Sequence, residues 1–210
     1  ENVPDIKKFI WVTADGEVRN SIHPDVILQL QGYHIESHIY NSINFRTQQS
    51  RKRLFVIGVK KELGALVRLN ELNNNRFGEL DGYGSLDPAV KFALSRIPKD
   101  APNHKLPHHS PERIAGFLKL KAGESYYGTQ NNTRLDLDKP SGTIASHCSR
   151  FVHPTEPRVL TARETARIMG FPDDFVFFGR EGAQLDQIGK SIVPQIAAYI
   201  SLYLKTYHFK

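Results

Sequence analysis

Along this chain, two stretches of regular hydrophobic spacing flank one long stretch where the spacing dissolves. From Pro24 to about Gln31, Val26, Ile27 and Leu30 fall on one helical face, Pro24 sits where a missing N–H is harmless, and Gly32 ends the segment. Residues 33 to 40 then alternate strictly, with Tyr33, Ile35, Ser37 and Ile39 set against His34, Glu36, His38 and Tyr40, the period of a β-strand. A polar, basic connection leads to a second, apolar strand at Leu54 to Val59.

Between about residues 61 and 150, Asn73-Asn74-Asn75, scattered Gly and Pro, and the cluster from His104 to His109 break any period and predict a loop-rich module. Order returns at Thr161-Ala-Arg-Glu164, a capping box in which the threonine hydroxyl and the glutamate side chain each satisfy an orphan backbone N–H. Gly170 and Pro172 stop that helix. From Pro194 onward, Ile196, Tyr199, Ile200, Tyr203, Leu204 and Tyr207 recur at spacings of three and four, which predicts a closing helix with one buried face. There is no internal repeat and no low-complexity tract.

Composition narrows the function classes. The 210 residues are 40% hydrophobic, enough to bury a sizeable core. No stretch approaches the roughly 18 apolar residues of a membrane span, and the first residues lack the basic-then-apolar layout of a secretory signal, so a cytoplasmic location is expected. The single cysteine, Cys148, builds neither an internal disulfide nor a cysteine-rich zinc site and reads as structural. Lys and Arg outnumber Asp and Glu by 28 to 22, a balance that suits a polyanionic partner.

Several local patterns are excluded. Gly189-Lys190-Ser191 ends like a phosphate-binding loop, but Gln184 stands where the leading glycine is required. His104, His108 and His109 are split by Pro107, so no helix aligns them for a metal, and no metal is expected. Asn131-Asn132-Thr133 fits a glycosylation sequon that an intracellular protein would not use.

Four motifs remain, in order. They are Glu1-Asn2-Val3, Gln49-Ser-Arg51-Lys-Arg53 running into Leu54-Phe-Val-Ile-Gly58, the block from Arg158 to Phe175 (Arg-Val-Leu-Thr-Ala-Arg163-Glu-Thr-Ala-Arg167-Ile-Met-Gly170-Phe-Pro-Asp-Asp-Phe), and Gln187-Ile-Gly189-Lys190-Ser191 before the closing helix. Together they resemble the DNA cytosine-5 methyltransferases, over residues 1 to 60 and about 134 to 205. Lys139-Pro-Ser-Gly-Thr143-Ile144 is similar to the family's Thr-Ile or Thr-Leu dipeptide held against DNA near the extruded base. Departures are Lys190, where the family usually has Asn, and Arg46 and Gln48, where it commonly has Gly and Pro.

The resemblance implies an α/β fold: residues 1–60 as the C-terminal edge of a doubly wound, Rossmann-like catalytic sheet, 61–185 as a smaller target-recognition domain, and 186–210 as a helix returning to the catalytic domain. It implies S-adenosylmethionine as methyl donor and double-stranded DNA as partner. In the family's chemistry a cysteine thiolate adds to C6 of a flipped cytosine so that C5 can take a methyl group. By position Glu1 is the carboxyl group at N3, Arg53 the donor to O2, and Arg51 the orienter of a phosphate or carboxylate. Gln49, Thr143, Ile144 and Arg163 are the expected DNA contacts, and Gly189, Lys190 and Ser191 the expected cofactor contacts.

The family's cofactor loop and Pro-Cys nucleophile precede the Glu-Asn-Val motif and have no equivalent in these residues. An N-terminal half is therefore the expected partner, and the chain by itself is expected to be inactive. The competing reading is a non-catalytic specificity subunit, which has no need of Glu1, Arg51 or Arg53. An RNA substrate is a third, disfavoured by a recognition region long enough to read a duplex.

Overall fold

The computed structural model describes residues 10–12, 18–20, 32–63, 68–69, 87–126, 131–146 and 151–207. The helix expected at Pro24, the Glu1 motif and Cys148 lie outside these residues. The chain divides into two compact units. Glu1–Tyr40, Arg53–Asn75 and Ile200–Lys210 form the first, and Asn41–Lys52 with Arg76–Tyr199 the second.

In the first unit, β1 (Ile10–Val12) pairs antiparallel with β2 (Val18–Asn20). The alternating run is β3 (Tyr33–Asn41), and the basic-then-apolar run is β4 (Lys52–Lys60); the two form one sheet, as the period and the β-branched content predict. Alternation along β4 puts Arg53, Phe55, Ile57 and Val59 on its better-buried face. There Phe55 packs against Tyr40, centroids 5.5 Å apart, and the Tyr40 hydroxyl donates to the Leu69 carbonyl at 2.7 Å. Gly58 is small because Ile35 crosses it: a Cβ would lie 2.9 Å from Ile35 Cδ1.

In the second unit, five short elements precede the block from Arg158 to Phe175. They are α1 (Val90–Leu94), α2 (Pro111–Leu118), and the strands β5 (Ser125–Tyr126), β6 (Asn132–Arg134) and β7 (Phe151–Val152). The sheet order is β5-β6-β7, antiparallel then parallel. Phe117 of α2, Val152 and Val159 are buried together, with Leu120 and Tyr126 packed on them. α2 starts as its sequence dictates, with the Ser110 hydroxyl accepting the Arg113 N–H and Pro111 in its first turn.

The helix expected after Thr161 is α3 (Ala162–Met169), with both bonds of its capping box formed and Gly170 closing it at φ +94°. It is buried nearly all round, so its charged residues must find partners inside the protein. α4 (Glu181–Lys190) packs on it, and α5 (Pro194–Tyr207), the closing helix, follows. Between β3 and β4 a 3-10 turn (Ser42–Phe45) ends on Arg46 in the left-handed region at φ 58°. That conformation favours glycine, which is the residue the resembled family commonly carries there. Among the described residues no helix is long and apolar enough to cross a membrane.

Candidate functional site

Residues 48–51 and 141–144 lie side by side in the second unit like two short parallel strands. Ser141 N donates to Gln48 O and Ser50 N to Ser141 O, both at 2.9 Å, and the Thr143 hydroxyl donates to Ser50 O at 3.0 Å. Ile144 N approaches Gln49 Oε1 at 3.4 Å. The Gln-x-Arg segment and the Thr-Ile dipeptide, predicted separately, thus form one junction.

Ser42 supports the junction from beneath. It is fully buried, its hydroxyl donates to Gln49 O at 2.8 Å and accepts the Arg51 N–H at 3.1 Å, and its own N–H donates to Arg51 O at 2.9 Å. Asn41 adds a bond from its amide to the Ser50 hydroxyl at 3.2 Å. Nothing in the local sequence singles out Ser42, because its three bonds cross a turn whose closure the pattern does not reveal.

Arg51 is buried, and its two terminal nitrogens donate to main-chain carbonyls: Nη1 to Ile144 O and Nη2 to Gly189 O, the latter at 2.9 Å. Gly189 presses α4 onto the recognition segment so closely that a Cβ there would lie 2.6 Å from the backbone of Ala145 and Ser146. Close packing is therefore sufficient reason for that glycine. Gln49 is also enclosed, its amide nitrogen against Met169 Sδ. The neighbours of Gly189 are more open. Lys190 is exposed, 3.8 Å from Asp186, and the Ser191 hydroxyl donates to Ile188 O at 2.7 Å while keeping acceptor capacity.

The block from Arg158 to Phe175 is a brace built of arginines. Glu164 takes Arg158 Nη1 and Nη2 at 2.8 and 2.7 Å, and its Oε2 also accepts Thr161 N at 2.7 Å. Burial alone would raise the Glu164 carboxyl, but the Arg158 bonds and the Thr161 N–H outweigh it and hold the group below the usual carboxylate range. Arg167 binds Asp173 through both carboxylate oxygens and caps the end of α1 at Ser95 O, 2.6 Å away. Arg163 has no exposed surface. It donates to Pro102 O at 2.8 Å, to Pro172 O at 2.7 Å and to Phe175 O, with Asn103 alongside.

Arg163, an expected DNA contact, holds with its guanidinium the Phe-Pro-Asp-Asp-Phe turn against the segment at Asn103. That asparagine, at φ 64°, also brackets Phe177, accepting its N–H at 2.9 Å and donating to its carbonyl at 2.8 Å. The histidines of the loop-rich module have separate tasks: His104 Nδ1 meets the Thr161 hydroxyl at 3.0 Å, and His109 Nε2 accepts Val159 N–H at 3.2 Å.

The structure therefore brings together Gln49, Arg51, Thr143, Ile144 and Gly189, with Lys190 and Ser191 following at the end of α4. Arg163 belongs to the brace. Arg53 lies on β4 in the first unit, half-buried, and desolvation lowers its guanidinium below its ordinary pKa. Glu1 lies outside the described residues.

The sequence profile of the C-5 cytosine-specific DNA methylases matches residues 1–205, and the chain belongs to that family. It is similar to a type II methyltransferase of Methanocaldococcus jannaschii, with 31% identity over 98% of this chain and 59% of that protein. A type II methyltransferase of Neisseria gonorrhoeae is 30% identical over 78% of this chain and 48% of its own length. The chain thus spans about half the length of the curated relatives it matches. Among solved structures, a DNA modification methyltransferase encoded within an E. coli prophage superposes with a TM-score of 0.71 at 24% identity, over 85% of this chain and 62% of that one. The Dnmt2 methyltransferase of S. pombe gives 0.57 at 19%, over 86% and 60%. The fold is the α/β fold of these methyltransferases.

Proposed function

We propose that this chain is the target-recognising, base-activating part of a DNA cytosine-5 methyltransferase acting on a specific duplex sequence, as the modification enzyme beside a restriction nuclease or as a solitary enzyme. The ladder between residues 48–51 and 141–144 supports this function more than any other single feature. It fixes the segment carrying the Gln-x-Arg-x-Arg motif to the Thr-Ile dipeptide through main-chain bonds. A specificity-reading module needs such a fixed footing beside the residues that handle the extruded base.

In this function Glu1 sits at N3 of the flipped cytosine and shares its proton there, which requires burial beside the base to raise its carboxyl pKa. Arg53 donates to O2 as negative charge develops on the ring. Its reduced pKa leaves it a cation at any physiological pH. The nucleophilic cysteine and most of the S-adenosylmethionine site come from an N-terminal half, in the same polypeptide or a second one. Gly189, Lys190 and Ser191 fit only the rim of that site, with one ammonium and one hydroxyl oxygen to offer. When bound, S-adenosylmethionine supplies the methyl group.

The test joins this chain to a family N-terminal half carrying the cofactor loop and the Pro-Cys motif, and follows methyl transfer to duplex DNA. Transfer is expected from the assembly and not from this chain alone, with Glu1→Gln or Arg53→Met reducing kcat at least a hundredfold, in the range of one acid–base or oxyanion contact. Sequence-specific DNA binding without transfer, unaffected by either substitution, would instead establish a non-catalytic specificity subunit.

A further inference from the structure

We propose that Arg51 is a positioning residue that couples the DNA-facing segment to the cofactor-facing one, and that it makes no contact with the reacting base. The inference rests on the methyltransferase function above and assigns this arginine a different task from Arg53, two residues away.

Arg51 is 2% exposed, and its terminal nitrogens are turned to Ile144 O and Gly189 O. These acceptors lie 93 and 138 residues along the chain. One precedes the backbone on which α4 rests, and the other belongs to α4 itself. The backbone of Ala145 and Ser146 fills the space a Cβ of residue 189 would need. The Arg51 main chain is held independently by Ser42, on both its N–H and its carbonyl. The guanidinium therefore works as a fork with a fixed handle, and its two prongs set the separation between Thr143-Ile144 and Gly189.

Two features make an arginine necessary. A planar guanidinium presents two nitrogens in a rigid geometry, whereas a lysine ammonium is a single point on a flexible stem and can hold one of these carbonyls well but not both. Main-chain acceptors also carry no side-chain identity, so the arginine alone specifies this contact. Because the fork spans both segments, disturbing it moves both together. A residue that touched the developing charge on the base would instead lower kcat and leave binding of either substrate intact.

The test uses the assembled enzyme and compares kcat with the KM values for target duplex and for S-adenosylmethionine. Arg51→Met should raise both KM values tenfold or more with kcat within threefold of the parent, and Arg51→Lys should raise both to a smaller degree. Gly189→Ala should shift the same two constants, and the double substitution should be no worse than the more severe single one, since both break one joint. A fall in kcat at unchanged KM values, or a shift in only one KM, would overturn the proposal.

Should Arg51→Met fail to fold, Arg51→Lys is read by hydrogen exchange on this chain. Protection should fall together in 142–146 and in 187–191, and unchanged protection in either segment would equally overturn the proposal. An assembly that transfers no methyl group defeats the function proposed above and leaves this exchange measurement decisive for Arg51.

Discussion

The carboxylate of Glu164 receives both terminal nitrogens of Arg158 while one of its oxygens also accepts the N–H of Thr161, so a single buried side chain closes an ion pair and caps a helix. Glu164 is 2% exposed and Arg158 8%. Removing Glu164 leaves Arg158 the half-exposed Glu156 carboxylate, 2.8 Å from its Nε. Glu164→Gln keeps the size but loses the charge, and it is expected to cost about 1.5 to 3 kcal/mol, the worth of a hydrogen bond to a charged group. The urea midpoint measures this, and a shift equivalent to less than about 1 kcal/mol, the worth of an exposed pair, would show the pair to be solvated.

Arg163 offers a test between brace and DNA contact. Arg163→Met orphans the carbonyls of Pro102 and Phe175, at about 1 to 3 kcal/mol for each group that stays buried, and leaves Pro172 O only the Phe175 N–H. Loss of stability should therefore dominate. In DNA binding by the folded variant, the slope of log K against log salt concentration should match the parent. A slope shallower by about one unit would assign this arginine to a phosphate.

Gly170 ends α3 at φ +94°, and a methyl group there would run into the carboxamide of Gln195, whose amide donates to Gly170 O at 2.9 Å. Gly170→Ala combines the left-handed penalty of about 1 to 2 kcal/mol with a weakened bond worth about 1 kcal/mol. Thermal and urea melts should both register the loss. A variant as stable as the parent would mean that the turn relaxes into another conformation.

Two histidines make stability depend on pH. His153 Nδ1 accepts the N–H groups of Thr155 and Glu156, and His109 Nε2 accepts that of Val159, so each bond needs a neutral ring. Burial lowers both pKa values. Arg158 and Arg134 lower His153 further, against the raising effect of Glu164 and Glu156, and Arg113, Arg158 and His108 lower His109. Well above pH 6.5 the rings are neutral folded and unfolded. As pH falls through the unfolded value, the unfolded chain takes up protons that the folded chain refuses, and stability drops. Urea melts from pH 8 to 5.5 should show this decline, and His153→Gln with His109→Gln should flatten it. An undiminished decline would place the titrating groups elsewhere.

Much of the framework was legible from period and cap alone. Tyr33 to Tyr40 alternates and forms β3, Thr161 and Glu164 form the capping box they spell, and the spacing from Pro194 gives α5. α4 escaped because it has no side-chain cap at Arg180 and carries Gly182 and Gly189, which weaken any local helical signal. α2 was announced by Ser110-Pro111-Glu112, a start signal obscured by the irregular sequence around it.

The candidate site was legible as a set of residues and not as an arrangement. Gln49, Arg51, Thr143, Ile144 and Gly189 were all singled out, but their convergence depends on contacts across most of the chain. The arginines of the Arg158 block illustrate the limit. Their type and offset suggest a basic surface, and only tertiary burial turns them inward onto carbonyls and carboxylates.

The Arg51 fork also fixes an order of events during synthesis. Its second prong waits for Gly189, and its first for Ile144, so the joint stays open until nearly the whole of these 210 residues has left the ribosome. Until then the Arg51 guanidinium lacks the Ile144 and Gly189 carbonyls, although its main chain can already be held by Ser42. Elements made of near neighbours, such as β3 with β4 or the capped α3, can form much earlier. A chain halted before residue 189 therefore cannot close the fork.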